Sequence, residues 1–314
     1  MSNKLLKIYT FYRFKNLKGL KKIKKEIYDL TINKKIFGTI LIAEEGINGT
    51  ISGEKKKLDF FISSIKKIIK IRNLTLKISE NNYVPFYRMK VRIKKEIVTI
   101  GIKSITPDKK TGTHIAPSKW DKILNNKNYL VIDVRNKYEV DIGTFKNSKN
   151  PHINSFREFP NYIKKQNLSK NQPIAMFCTG GIRCEKASSY LMSQGFKDVS
   201  QLDGGILNYL EYKKIKKKSL WKGQCFVFDN RVAVDKKLKR GKYDQCYGCR
   251  HPITEKEKKL KSFKKGISCK YCTNKRSRNQ IKSSSTRQSQ IDKAEKIGVN
   301  HPFRKITLLD YSKS

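Results

Sequence analysis

Cys178-Thr-Gly-Gly-Ile-Arg-Cys184 follows the apolar run Ile174-Ala-Met-Phe177 and precedes the helix-like Glu185-Lys-Ala-Ser-Ser-Tyr-Leu-Met192. A buried strand that ends in cysteine, a glycine-rich turn and a helix together make an anion cradle. Gly180 and Gly181 let the backbone N–H groups of Thr179 to Ile182 converge, and the positive end of the following helix points at whatever the sulfur carries. Such a cradle favours the thiolate of Cys178, its reactive form. Arg183 adds a fixed positive charge at the end of the loop. A buried cysteine at a strand terminus beside a tight turn is the plainer reading of the same residues.

Upstream, Tyr129-Leu-Val-Ile-Asp-Val-Arg135 is apolar enough for a strand buried on both faces, and Glu139 follows its charged end. Polar groups just beyond the carboxyl end of a parallel strand lie where α/β folds place their sites, so Asp133 and Arg135 are candidates to support the site edge; a structural ion pair serves equally well. Downstream, residues 199–202 read as a further strand, entering Asp203-Gly-Gly-Ile-Leu-Asn-Tyr209. Strands alternating with helices predict a parallel α/β domain over residues 121–217. Before it, residues 106–120 read as a connector, in which His114 is a solvated side chain or an acid–base candidate.

Residues 1–105 have a different rhythm. The order strand, helix, strand, strand, helix, strand predicts a ferredoxin-like split βαβ domain, with a helix near 55–71 carrying Leu58, Phe61, Ile62, Ile65, Ile68 and Ile69 at helical spacing. The strands are expected near 4–12, 37–43, 50–53, 74–78 and 89–100. The whole is α/β and multidomain.

Seven cysteines suit catalysis or metal binding better than a disulfide framework. Cys246-x-x-Cys249 and Cys269-x-x-Cys272 stand nineteen residues apart. Each pair is a knuckle that places two sulfurs on one tetrahedral face, which predicts a structural zinc in a small module over residues 218–275; free thiols or a redox pair are the alternatives. Four thiolates would leave no open position for catalytic water. Residues 276–314 form a basic tail with little apolar content, expected either to be disordered when free and to fold along an RNA backbone, or to be simply solvated. Residues 225–234 read as two short strands about an Asp-Asn turn.

The net charge of +45 points to nucleic acid, but lysine, asparagine and isoleucine are abundant throughout, as codon bias in an AT-rich genome would make them. Charge alone does not separate the two readings. With no apolar run long enough for a signal peptide or a membrane span, a cytoplasmic protein is expected.

Asp133-Val-Arg135 with Glu139, then the Cys178 loop, then Leu202-Asp-Gly-Gly-Ile206, resemble a rhodanese-homology domain. Glu44-Glu-Gly-Ile-Asn-Gly-Thr50, Thr113-His-Ile-Ala-Pro117, Ser155-Phe-Arg-Glu-Phe-Pro160, Cys225-Phe-Val-Phe-Asp-Asn-Arg-Val-Ala-Val234 and Cys246-Tyr-Gly-Cys-Arg250 extend the resemblance over nearly the whole chain, to the rhodanese-containing tRNA uridine hydroxylases. That resemblance implies hydroxylation of the wobble uridine of tRNA at carbon 5, with molecular oxygen as co-substrate and activity dependent on Cys178. No flavin, haem or nicotinamide motif accompanies it. Cys184 reads as a resolving thiol or a small core filler. The loop by itself equally supports a sulfurtransferase carrying persulfide on Cys178, and a zinc-bearing RNA-binding protein with an inert rhodanese domain is a third reading.

Overall fold

A computed structural model describes residues 6–32, 34–81, 84–214 and 218–298. Residues 4 and 5 of the first expected strand, residues 215–217 of the lysine run after the rhodanese-like region, and residues 299–314 of the basic tail lie outside the described residues.

The first unit runs β1 (Leu6–Phe14), α1 (Leu20–Ile32), β2 (Phe37–Ala43), β3 (Gly46–Gly53), α2 (Lys55–Ile68), β4 (Thr75–Asn81) and β5 (Met89–Ile93). Its sheet has the order β4-β1-β3-β2-β5, antiparallel except where β5 joins β2 in parallel. The first four strands have the split βαβ order, and the apolar stripe of α2 explains why: Leu58, Phe61, Ile62 and Ile65 are buried against Tyr9, Phe11, Ile40 and Ile51 of the sheet. The last strand stops at Ile93, short of residue 100. Beyond it, Ile97 turns inward to pack with Tyr12, Phe14, Ala43 and the loop residue Ile182. This places the first sheet over the amino end of the Cys178 helix.

The second unit comprises β6 (Thr113–Ile115), α3 (Pro117–Asn125), β7 (Leu130–Asp133), α4 (Lys137–Val140), β8 (Gly143–Phe145), α5 (Phe159–Lys165), β9 (Ile174–Phe177), α6 (Ile182–Ser193), β10 (Val199–Leu202) and α7 (Gly205–Lys213). Strands β6, β10, β9 and β7 form, in that order, an entirely parallel sheet. The stretch expected as a connector thus contributes both an edge strand and the helix that buries Trp120 and Leu124. Residues Ile174–Phe177 are buried on both faces, as an interior parallel strand requires.

The third unit consists of short pairs: β11 (Trp221–Gly223) on β8, β12 (Cys225–Phe226) with β13 (Ala233–Val234), and β14 (Asp244–Gln245) with β15 (Pro252–Ile253). Helices α8 (Glu255–Lys258) and α9 (Arg278–Lys296) follow. Helix α9 corrects the expectation of a disordered tail. The Ser277 hydroxyl accepts from the Gln280 amide while the Gln280 side chain accepts from the Ser277 amide, a reciprocal cap, and the buried face consists of Ser284, Gln288 and Ala294. No helix among the described residues is long and apolar enough to cross a membrane.

Candidate active site and cysteine cluster

Strand β9 delivers Cys178 to the carboxyl edge of the parallel sheet, where the residue is 1% exposed and its sulfur accepts a hydrogen bond from the Gly181 amide at 3.1 Å. Gly181 has φ +98°, a conformation closed to most side chains, and an added Cβ would stand 3.1 Å from the Tyr12 hydroxyl. Across the loop, Gly205 at φ +66° lies so close that a Cβ would fall 2.5 Å from the Cys178 carbonyl oxygen. That carbonyl accepts from the Ile206 amide at 2.9 Å, and the Thr179 carbonyl from Leu207 at 3.1 Å. The first turn of α7 therefore fastens the loop from one side while α6 begins inside it.

Burial opposes ionisation of Cys178. The Cys184 thiol, the Arg183 charge and the amides of Cys184 and Arg183 outweigh it, bringing the Cys178 pKa down to about 6. Cys184 shows the reverse: burial and the hydrogen bond to Cys178 push its thiol well up, so it remains a neutral donor. It is both a filler of the core beside α6 and a hydrogen-bond partner of the Cys178 sulfur.

Arg183 does not point freely at the sulfur. It forms a bidentate pair with Glu139, at 2.6 and 2.8 Å, with both side chains buried. Burial would raise the Glu139 pKa; Arg183, and behind it Arg135 and the Asn136 amide, hold the carboxyl below its ordinary range. Asp133 and Arg135 make a second buried pair at 2.6 and 2.8 Å, and Arg135 also donates to the Gly143 carbonyl. They buttress the sheet edge as an ion pair, without a bond to the sulfur among the described residues. Changing Glu139 to Gln is expected to leave the Arg183 charge buried and unpaired, at a cost of about 3–5 kcal/mol. Urea unfolding reads the loss of stability; a loss below about 1 kcal/mol would contradict the pairing.

Several contributors were not legible as site residues. Tyr12, from β1, donates to the Glu185 carboxylate at 2.9 Å; Glu185 also receives Thr111, Gln201 and His114, the last at 3.0 Å. His114 is therefore part of a largely buried polar network behind the loop, and its bond to Glu185 raises its pKa. Lys186, only 1% exposed, bridges to Glu45 and Glu96 of the first unit at 2.6 and 2.5 Å. The Glu44-Glu45-Gly46 turn thus fastens one unit to the other. Finally, Phe228 stands 63% exposed on the turn between β12 and β13, its ring 5.7 Å from the Arg183 guanidinium. No periodicity marks these residues, since they meet through folding, several of them across units, and not through a repeating local pattern.

The four cysteines Cys246, Cys249, Cys269 and Cys272 converge, with their sulfurs all within 4.8 Å of one another. Separations of 3.7 Å for Cys249 to Cys269 and 4.0 Å for Cys246 to Cys272 bracket the roughly 3.8 Å edge of a tetrahedron with metal–sulfur bonds of about 2.3 Å. The cluster can hold a metal ion. His251, beside it, stacks on Tyr271 at 4.8 Å instead of entering the cluster.

A low-pKa cysteine nested at the amino end of a helix, on the carboxyl edge of a parallel sheet, defines a rhodanese-type domain. Residues 116–212 match the Rhodanese-like domain family and residues 6–97 the UPF0176 acylphosphatase like domain family. The chain is 49% identical over 280 residues to the tRNA uridine(34) hydroxylase of Pelagibacter ubique, covering 89% of this chain and 92% of that protein, and it belongs to that family. Among solved structures, a rhodanese-related protein from Thermoplasma volcanium is 28% identical over 32% of this chain and 92% of its own, with a TM-score of 0.27. A rhodanese-like domain protein from Staphylococcus aureus is 26% identical over 31% and 90%, also with a TM-score of 0.27.

Proposed function

We propose that the protein is an oxidoreductase that hydroxylates the wobble uridine of tRNA at carbon 5, giving 5-hydroxyuridine, with Cys178 as the nucleophile. The observation that carries this reading is the identity, sustained over nearly the whole chain, to a tRNA uridine(34) hydroxylase. The loop chemistry agrees with it. A thiolate with a pKa of about 6 is largely ionised at neutral pH, and it adds to the electrophilic carbon 6 of a uracil, leaving carbon 5 electron-rich. The Gly181 amide, already directed at the sulfur, holds its charge before addition. An extruded base is required, because carbon 6 cannot reach a buried sulfur from within a stacked loop.

The inserted oxygen is assigned to molecular oxygen. One of its atoms then leaves as water, which draws two electrons from an external reductant. The cysteine cluster is assigned to structural zinc, since four thiolates and tetrahedral spacing suit that ion and leave no open position. A tRNA substrate and the absence of a spanning helix among the described residues suit a cytoplasmic enzyme.

Mass spectrometry of tRNA nucleosides from cells with and without the protein tests the reaction, and growth under labelled oxygen gas tests the source of the atom. Unchanged 5-hydroxyuridine in the deletion strain would refute the assignment. Label appearing from water instead would refute the role of molecular oxygen.

A further inference from the structure

Five basic residues that the cysteine loop does not use, Arg88, Lys90, Arg250, Lys265 and Arg287, line one cleft. A cavity of about 310 Å³ opens between the β5 side of the first sheet, the turn after β12 and helix α9; its walls include Arg88, Lys90, Asn230, Tyr247, Arg250 and Arg287. Arg250 donates to the Gln245 side chain at 2.9 Å and Arg287 to the Gly266 carbonyl at 2.8 Å, bonds that position both guanidinium groups without neutralising them. Glu295, the carboxylate on the wall, is engaged by Lys265 at 3.3 Å. Burial, and then the positive charges of Arg88, Arg92 and Arg250, depress the Lys90 ammonium. Burial and the charges of Arg250 and Arg276 do the same to Arg287. Like charges from separate units have thus been brought together in a concave, partly desolvated place, an arrangement stabilised by a polyanion.

An aromatic ring lies among these cations. Tyr247 is 45% exposed, and the Arg250 guanidinium sits 5.6 Å from its ring centre. Cations that follow a phosphate backbone, interleaved with an open aromatic face, are the recognition surface of single-stranded nucleic acid; an acidic peptide would use the charge but not the ring.

The cleft also connects to the cysteine loop. Asn230 on its wall donates from its backbone to the Pro85 carbonyl at 3.0 Å and from its side chain to the Val84 carbonyl at 3.2 Å. The Asp229–Arg231 pair, at 2.6 Å and buried, stiffens the same turn. Phe228, two residues before Asn230 and so within about 7 Å along the chain, faces Arg183 beside Cys178.

We propose that this cleft binds a single-stranded RNA segment, its phosphates on Arg88, Lys90, Arg250 and Arg287 and one base against Tyr247. Resting on the function proposed above, that segment is the tRNA anticodon loop next to the target uridine, and Phe228 lies between the cleft and the sulfur.

The test is a binding titration of the full-length protein with a labelled anticodon stem-loop RNA across a salt series. The double variant Arg88→Ala, Arg287→Ala is expected to bind at least about tenfold more weakly. Its plot of log affinity against log salt should flatten by about 1.4, at roughly 0.7 for each phosphate of the single strand that is no longer neutralised. Lys164→Ala, Lys165→Ala removes the same charge from the exposed end of α5 and should change affinity less than about twofold. Lys90→Ala, on the sheet, provides a second variant if the first unfolds. Equal losses in the α5 control, an unchanged slope in both cleft variants, or preferential binding of polyglutamate over RNA would overturn the proposal. Wild-type RNA binding that depends on the cleft, in a protein that makes no 5-hydroxyuridine, would support the cleft and remove only the reaction.

Discussion

Replacing Cys178 with alanine is expected to reduce 5-hydroxyuridine in tRNA to the level of a strain lacking the protein, a loss of at least about a thousandfold in turnover. Of the two thiols in the rhodanese-type loop only that of Cys178 has its pKa lowered, and the surrounding bonds favour its ionised form. Burial alone would raise the pKa of this cysteine; the Cys184 thiol, Arg183 and two loop amides reverse that and bring it to about 6. The sign for pH follows. A group whose pKa is lowered in the folded protein is ionised above that value, so the reactive fraction is about nine-tenths at pH 7, half near pH 6 and about one-tenth at pH 5. Alkylation of Cys178 by a small haloacetamide, located by peptide mass spectrometry, should follow that curve. A midpoint near 8.5, roughly that of a free cysteine, would contradict an activated thiolate. Product persisting in the alanine variant would remove the catalytic role, and a stable persulfide on Cys178 with rapid thiosulfate turnover and unaltered tRNA would identify a sulfurtransferase instead.

The same alanine variant separates chemistry from architecture. Cys178 is buried at the end of β9, and shortening it deletes a single sulfur from a well-packed edge, a modest loss beside that expected for Glu139→Gln. A folded protein that binds tRNA without modifying it is therefore the expected phenotype.

How far these features could be read in the sequence depended on whether their physics is local. The Cys178 loop was legible because strand, glycine turn and helix occupy one continuous stretch, and the four cysteines because knuckle spacing is a sequence property. The partner of Arg183 was not, since Glu139 precedes it by 44 residues and only folding brings the two together. Tyr12 reaches the loop from another unit altogether. Strand β6 was hidden because three residues carry too little alternation to mark a strand, and its pairing with β10 supplies the missing information. Helix α9 was misread for a more instructive reason. Hydrophobic periodicity detects helices that bury apolar side chains, whereas this one buries a hydroxyl, an amide and a methyl group, so its amphipathicity has no hydropathic signal. The Arg276 guanidinium, bonded to the Ser284 hydroxyl at 2.8 Å, provides the polar partner that such a face requires.

Removing metal from the cysteine cluster is expected to unfold the segment from β14 through α9, while the first two units and the strands β11 to β13 packed on the second remain intact. Around the four sulfurs the apolar packing amounts to Ile253 with the half-buried Phe263 and Tyr271, too little to offset the entropy of ordering the segment. Zinc coordination by four thiolates supplies on the order of 10 kcal/mol in modules of this kind, so without it the knuckles should open. The sheets of the first two units have cores of their own and do not share this dependence. The purified protein should contain about one zinc per chain by elemental analysis, as a single four-thiolate site requires. Treatment with a strong chelator should abolish hydrogen-exchange protection from β14 to Cys272 and along α9, which is held to the module by its own Arg287 and by Arg276 just before it. Protection of β9 and β1 should be unchanged. Because Tyr247 lies within the first knuckle and Arg250 directly after it, RNA affinity should fall with the metal, and zinc added back should restore it. Metal-free protein with full protection from β14 through α9 would show that the thiols hold the fold unaided, and RNA affinity indifferent to chelation would separate the module from the cleft it borders.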